Sequence, residues 1–232
     1  MGRYFVIGDI HGCYDKLVKV LKSWDKDKEQ LIFLGDLIDR GKDSLKVVQL
    51  AMQLVRESNA IVLRGNHEEL LINWLLYPDT ESDVYLGQGG DKTVISFVGE
   101  EKYKEHSSAY LSRYLMKNFL EEVNFLKHLP FYYYNDKYIF VHAGIDVDKL
   151  NWKNTSEKDF CWIRERFLFR KNETGYTVVF GHTPTRHLNR DKSDRVWFSS
   201  CKTKIGIDGA AFQGGYLHAL RIDGEKIDIV SV

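Results

Sequence analysis

The sequence predicts an α/β sandwich, with helices covering sheets that contain parallel strand pairs. Three observations carry this. Short apolar runs alternate with helical stripes over the first 75 residues, closely spaced short strands follow Pro130, and five strands end in polar clusters rich in glycine and histidine.

The elements follow in order. Tyr4 to Gly8 is a short apolar strand. Tyr14 to Trp24 places apolar residues at 14, 17, 18, 20, 21 and 24, the spacing of one helix face. Leu31 to Leu34 is a second strand and Ser44 to Arg56 a second helix, apolar at 45, 47, 48, 50, 51, 52, 54 and 55. Ala60 to Leu63 and Glu68 to Leu76 supply a third pair. A β-α-β-α-β-α order favours parallel pairing under helical cover. Residues 77–128 are polar and helical in pattern, with Gly87-Gln88-Gly89-Gly90 as a break, and read as a helical insertion. Phe131 to Tyr134 and Tyr138 to Val141 flank Asn135-Asp136-Lys137, a hairpin signal. Further strands are expected at 177–180, 196–199, 204–207, 216–222 and 226–230, with Gly214-Gly215 as a hairpin turn.

Composition sets outer limits. The chain has 232 residues, 33 basic and 33 acidic, so its formal charge is zero. That balance gives no bulk attraction for nucleic acid or a membrane surface. Hydrophobic residues at 44% and charged residues at 28% exclude bulk disorder. No apolar run approaches the ~18 residues of a membrane span, and the stretch from Met1 to Asp9 does not read as a signal peptide. Cys13, Cys161 and Cys201 are odd in number and far apart, which points away from a disulfide framework and toward the cytoplasm.

The chemistry lies in the strand-end clusters. They are Gly8-Asp9-Ile10-His11-Gly12, Gly35-Asp36-Leu37-Ile38-Asp39-Arg40-Gly41, Gly65-Asn66-His67-Glu68, His142-Ala143-Gly144 and Gly181-His182-Thr183. Ligands gather outside the carboxyl ends of strands in α/β sheets, so the five can converge. Together they offer carboxylate, amide and imidazole donors with no thiolate, a set suited to manganese, iron or zinc. One Gly-Asp or one His at a strand end is ordinarily a turn or a satisfied side chain. Five in one chain point to a metal centre.

These motifs, in this order and spacing, resemble the metallophosphoesterases of the phosphoprotein-phosphatase family, over about residues 4–222. The short chain is similar to the bacterial and phage branch, which holds serine/threonine and tyrosine protein phosphatases. Its relatives hydrolyse diadenosine tetraphosphate symmetrically. The resemblance implies a calcineurin-like metallophosphoesterase β-sandwich flanked by helices, one domain spanning 1–232. It further implies two divalent ions, manganese first, with iron or zinc as alternatives. Asp9, His11 and Asp36 would hold one ion. Asp36 would bridge to a second held by Asn66, His142 and His182. His67 would be the general acid, oriented by Asp39, and Arg40 would bind phosphate together with Asn66. In Trp162-Ile163-Arg164, Arg164 is the second phosphate-binding arginine, with Arg166 the competing choice.

The implied function is hydrolysis of phosphate monoesters by direct attack of a metal-bound hydroxide, most plainly as a serine/threonine protein phosphatase. The substrate would be a phosphorylated protein or a small phosphate ester. The alternative is a symmetrical diadenosine-tetraphosphate hydrolase; those tend to be longer, which favours the phosphatase. A nuclease is disfavoured by the zero net charge. A non-catalytic module is disfavoured because every implied ligand is present. Remaining features are read structurally. Cys13 is a small buried residue, Phe131 to Tyr134 a half-buried strand, Asp208 an outer partner or turn residue, and Arg186 to Arg195 a solvated basic loop.

Overall fold

The computed structural model describes residues 2–232, with Met1 outside the described residues. Strands form at the apolar runs: β1 (Arg3–Ile7), β2 (Glu29–Phe33), β3 (Ile61–Val62), β4 (Tyr132–Tyr134), β5 (Tyr138–Val141), β6 (Thr177–Phe180), β7 (Trp197–Phe198), β8 (Lys204–Gly206), β9 (His218–Asp223) and β10 (Lys226–Ser231). They make two five-stranded sheets, ordered β10-β9-β1-β2-β3 and β4-β5-β6-β8-β7. In the first, β1 pairs in parallel with β2, and β2 with β3, while β9 and β10 are antiparallel additions. In the second, β5, β6 and β8 are parallel, and β4 and β7 antiparallel edges.

Strand periodicity sorts the core into three layers. Tyr4 and Val6 of β1 meet Phe140, Val179 and Ile205 between the sheets, whereas Phe5 and Ile7 face the helices. Those helices are α1 (Tyr14–Leu21), α2 (Ser44–Ser58) and α3 (Asn66–Leu76), which cover the first sheet. The outer face of the second sheet packs Val178 and Phe180 against α9 (Glu157–Trp162) and α10 (Glu165–Leu168) through Phe160 and Phe167. The insertion forms α4 (Pro78–Tyr85), α5 (Asp91–Val98), α6 (Glu100–Glu105), α7 (Ser108–Asn118) and α8 (Leu120–Lys127).

Local chemistry explains the boundaries. Asn59 closes α2 in the left-handed region at φ 51°, its N–H on the Leu54 carbonyl. Ser156 caps α9 by accepting the Asp159 N–H at 3.0 Å. The β4–β5 hairpin is fixed by the Asn135 side chain, which accepts the N–H groups of Lys137 and Tyr138, each at 2.8 Å. Two expectations differ. The first helix stops at Leu21, and the Trp24 indole donates to the Glu29 carbonyl at 3.0 Å instead of continuing the turn. Gly214-Gly215 is not a hairpin turn, because β8 and β9 belong to different sheets and the segment crosses between them. The break expected at Gly87 to Gly90 is present: a wide turn separates α4 from α5 and is kinked at Gly89 with φ 95°. No helix among the described residues is long and apolar enough to cross a membrane.

Candidate metal centre and active site

The loops that leave β1, β2, β3, β5 and β6 knit together by backbone contacts. The N–H groups of Ile10 and His11 both donate to the Asp36 carbonyl, and Gly181 N–H donates to the His142 carbonyl. His11, Asp36, Asp39, Arg40 and His182 all adopt positive φ, between 47° and 70°. Such conformations cost roughly 1–3 kcal/mol each and persist only where the surroundings fix them. Glu68 does much of this fixing. Its buried carboxylate accepts the N–H groups of Asp36, Leu37 and Gly65 at 3.0, 2.8 and 2.8 Å. Burial and the Asp36 charge push its pKa up to about 7. Gly65 permits the close approach, since a Cβ there would lie 2.2 Å from Asp36 Oδ1.

Asp36 stands between two imidazole groups. His11 Nε2 is 3.4 Å from its Oδ2, and His142 Nε2 is 3.4 Å from its Oδ1. His142 Nδ1 donates to the Leu34 carbonyl at 2.9 Å and His11 Nδ1 to the Ile38 carbonyl at 2.9 Å. Carbonyls only accept, so each ring carries its proton on Nδ1. Burial lowers the pKa of both rings, that of His11 to about 3, and leaves them neutral. The Nε2 lone pairs therefore point into the centre. Asn66 Oδ1 joins them, 2.9 Å from His142 Nε2 and 2.8 Å from His182 Nδ1. His182 Nε2 is buried without a partner among the described residues.

Two further carboxyl groups join Asp36. Asp9 accepts the His182 N–H at 3.0 Å, and Asp208 accepts the Ala210 N–H at 2.9 Å. Burial, then Asp208 and Asp36, raise the Asp9 carboxyl well above the usual range. Burial drives Asp208 up to about 6. Burial opposes ionisation of Asp36, yet the surrounding imidazoles, His142 foremost, hold it well below the usual range. Converging lone pairs and buried like charges make a donor set that a cation satisfies. Asp36 with His142 and His182, and Asp36 with His11 and His67, form two groupings whose donor atoms lie within 4.8 Å of one another.

His67 differs from the other rings. Its Nδ1 lies 2.7 Å from Asp39 Oδ2, with both residues buried. Burial works against the charged form, but Asp36 and Asp39 overcome it and raise the pKa. The centre opens onto a cleft of about 590 Å³, lined in part by Arg40, Arg164, Lys92, His182, His187 and Phe212. The Arg40 guanidinium stacks 4.7 Å over the Phe212 ring. Arg164 reaches the cleft, while Arg166 pairs with Asp159 at 2.9 Å.

The structure brings Asp9, His11, Asp36, Asp39, Asn66, His67, His142 and His182 into one buried cluster, with Arg40 and Arg164 at its opening. Of the basic loop, Arg186 pairs with Asp194 at 2.6 Å and only His187 lines the cleft. Cys13 is half-buried at the start of α1. Sequence reasoning missed Tyr85 and Ser44 around Asp39, the contact of Thr93 with that carboxylate, and the role of Phe212. The motif glutamate Glu68 was in view, but its bonds to the β2 loop, 31 and 32 residues away, were not.

The sequence pattern of the calcineurin-like phosphoesterase family matches residues 2–210. A bis(5'-nucleosyl)-tetraphosphatase PrpE [asymmetrical] of Anoxybacillus flavithermus is 28% identical, over 99% of this chain and 93% of that protein. Serine/threonine-protein phosphatase 1 of Salmonella typhimurium is 29% identical, over 94% and 91% respectively. A crystal structure provisionally named a diadenosine tetraphosphatase superposes with a TM-score of 0.65 at 21% identity, covering 99% of this chain and 93% of that one.

Proposed function

This chain belongs to the calcineurin-like phosphoesterase family, and on that footing we propose that it is a metal-dependent phosphomonoesterase for phosphoserine and phosphothreonine. The observation that carries this reading is the buried His67–Asp39 pair, joined at 2.7 Å. A serine or threonine alkoxide is a poor leaving group near neutral pH and needs a proton as the bond breaks. A positioned acid is worth about 10²–10⁴-fold there. A nucleoside polyphosphate leaving group is already stable as an anion and needs none.

Asp9, His11 and Asp36 would hold one divalent ion, and Asp36, Asn66, His142 and His182 the second, with manganese first among the metals suited to these donors. When bound, such ions activate water and offset phosphate charge. Arg40 and Arg164 bind phosphate oxygens from the cleft side. Asp39 accepts a hydrogen bond from the Nδ1–H of His67, so Nε2 is left to hold the proton for the leaving oxygen. Phe212, stacked under Arg40, limits the directions its guanidinium can take.

A second reading has its own support. The PrpE relative covers 99% of this chain, and its name specifies asymmetrical cleavage, where the sequence reading had named the symmetrical reaction. The cleft also has space and positive charge for a polyphosphate chain. One experiment separates the two: parallel turnover of a phosphoserine peptide and diadenosine tetraphosphate by manganese-reconstituted protein. We expect kcat/KM to favour the peptide. A higher kcat/KM on the dinucleotide overturns the first reading in favour of the second.

A further inference from the structure

We propose that the helical insertion completes the acid machinery, with Tyr85 and Thr93 as positioning residues that lock the Asp39 carboxylate so that only Oδ2 is offered to His67. The inference rests on the reading of His67 as leaving-group acid and extends it to residues outside the five motifs. Asp39 is fully buried. Its Oδ2 takes the His67 ring, and its Oδ1 accepts from Tyr85 Oη at 3.0 Å and from Thr93 Oγ1 at 2.6 Å. The Thr93 hydroxyl in turn accepts the Asp39 N–H at 2.8 Å and lies 2.9 Å from Ser44 Oγ. One hydroxyl thus grips both the backbone and the side chain of Asp39. A carboxylate has two equivalent oxygens and turns readily about its last bond. Held by the histidine alone, it would leave a buried oxygen unpaired and let the imidazole swing.

Both hydroxyls come from one corner of the insertion. Tyr85 ends α4, Thr93 lies in the first turns of α5, and the wide turn Leu86–Gly90 joins them. The corner is tightly specified. A Cβ on Gly90 would fall 2.5 Å from the Tyr85 ring, and Trp74 backs that ring with centroids 5.3 Å apart. The Gly89 carbonyl also accepts the Arg40 N–H at 3.0 Å. The insertion therefore fixes Asp39 and Arg40 through separate contacts, and it stands 46 and 54 residues beyond the aspartate it orients.

The test uses Tyr85→Phe and Thr93→Val, each nearly isosteric and each lacking one hydroxyl, with Thr93→Ser as the conservative rescue. The first readout is hydrogen exchange of the His67 Nδ1 proton, followed by NMR in zinc-reconstituted protein labelled at histidine. We expect slow exchange in the wild type and in Thr93→Ser, and exchange at least about tenfold faster in the other two. The second readout is kinetic. Turnover of phosphoserine peptide should fall about tenfold at unchanged KM, with a clearly smaller loss on p-nitrophenyl phosphate, whose leaving group needs no proton. Unchanged exchange in both natively folded variants overturns the proposal. If the wild type does not turn over the phosphoserine peptide, the substrate reading fails, and the exchange measurement still decides the positioning role.

Discussion

Asp208 sits where a carboxylate is costly, buried beside Asp9 and Asp36, and its pKa rises from the usual 3.8 to about 6. In the metal-free protein its contribution to stability is therefore present at low pH and lost as pH rises through about 6. A cation reverses that sign by displacing the shared protons. Affinity for Mn²⁺ should then fall by about tenfold per displaced proton between pH 7 and pH 5. Asp208→Asn removes one repulsive charge and lets Asp9 ionise at lower pH. We expect the pH curve for Mn²⁺ binding, measured calorimetrically, to move to the acid side in this variant; an alkaline shift would contradict the assignment. At this scale the sequence is legible where donor types cluster, as at Asp9, His11 and Asp36. It is silent at Tyr85 and Thr93. Tyrosine and threonine are common in helices, and nothing local says that their hydroxyls meet a carboxylate far back along the chain.

The end of β6 shows how an element presents its side chain. A Cβ on Gly181 would lie 2.0 Å from Asp9 Oδ1, so this glycine is what lets the second sheet approach the first at the metal centre. Gly181→Ala should displace the Asp9 carboxylate, weaken metal binding about tenfold or more and cost about 1–3 kcal/mol in denaturant unfolding. Gly87→Ala is the contrasting case. Nothing lies within 4 Å of its added carbon, and stability should hold or rise by a few tenths of a kcal/mol. Elements such as β1, β5 and β6 are legible because buried parallel strands read as continuous apolar runs. The Gly214-Gly215 segment is not legible as a crossover, since a glycine pair between two strand patterns looks the same whether the strands share a sheet or not. The insertion is visible as helices, but its purpose depends on contacts that periodicity does not encode.

Across the whole molecule, the donors divide between the two sheets. Asp9, His11, Asp36 and Asn66 follow strands of the first, and His142 and His182 follow strands of the second. Bound metal would clamp the sandwich along one edge, in addition to the apolar layer of Val6, Ile32, Phe140 and Val179. At a free concentration of 100 times Kd, the clamp stabilises by about 2.7 kcal/mol. For a chain of this size that raises Tm by roughly 5–11 °C. Differential scanning fluorimetry with and without Mn²⁺ measures this, and a Tm indifferent to metal would mean that the two halves are not joined through it. The first sheet also has a consequence for how the protein is made. β1 lies between β2 and β9, so one of its flanks is filled by residues 29–33 and the other by residues 218–223. A polypeptide emerging amino end first must carry β1 with an open edge until β9 appears, after His142 and His182 have been synthesised. A nascent chain therefore carries β1 open to misplaced strand pairing for as long as the stretch between β2 and β9 is being made, and metal can meet the full donor set only once His182 has been added.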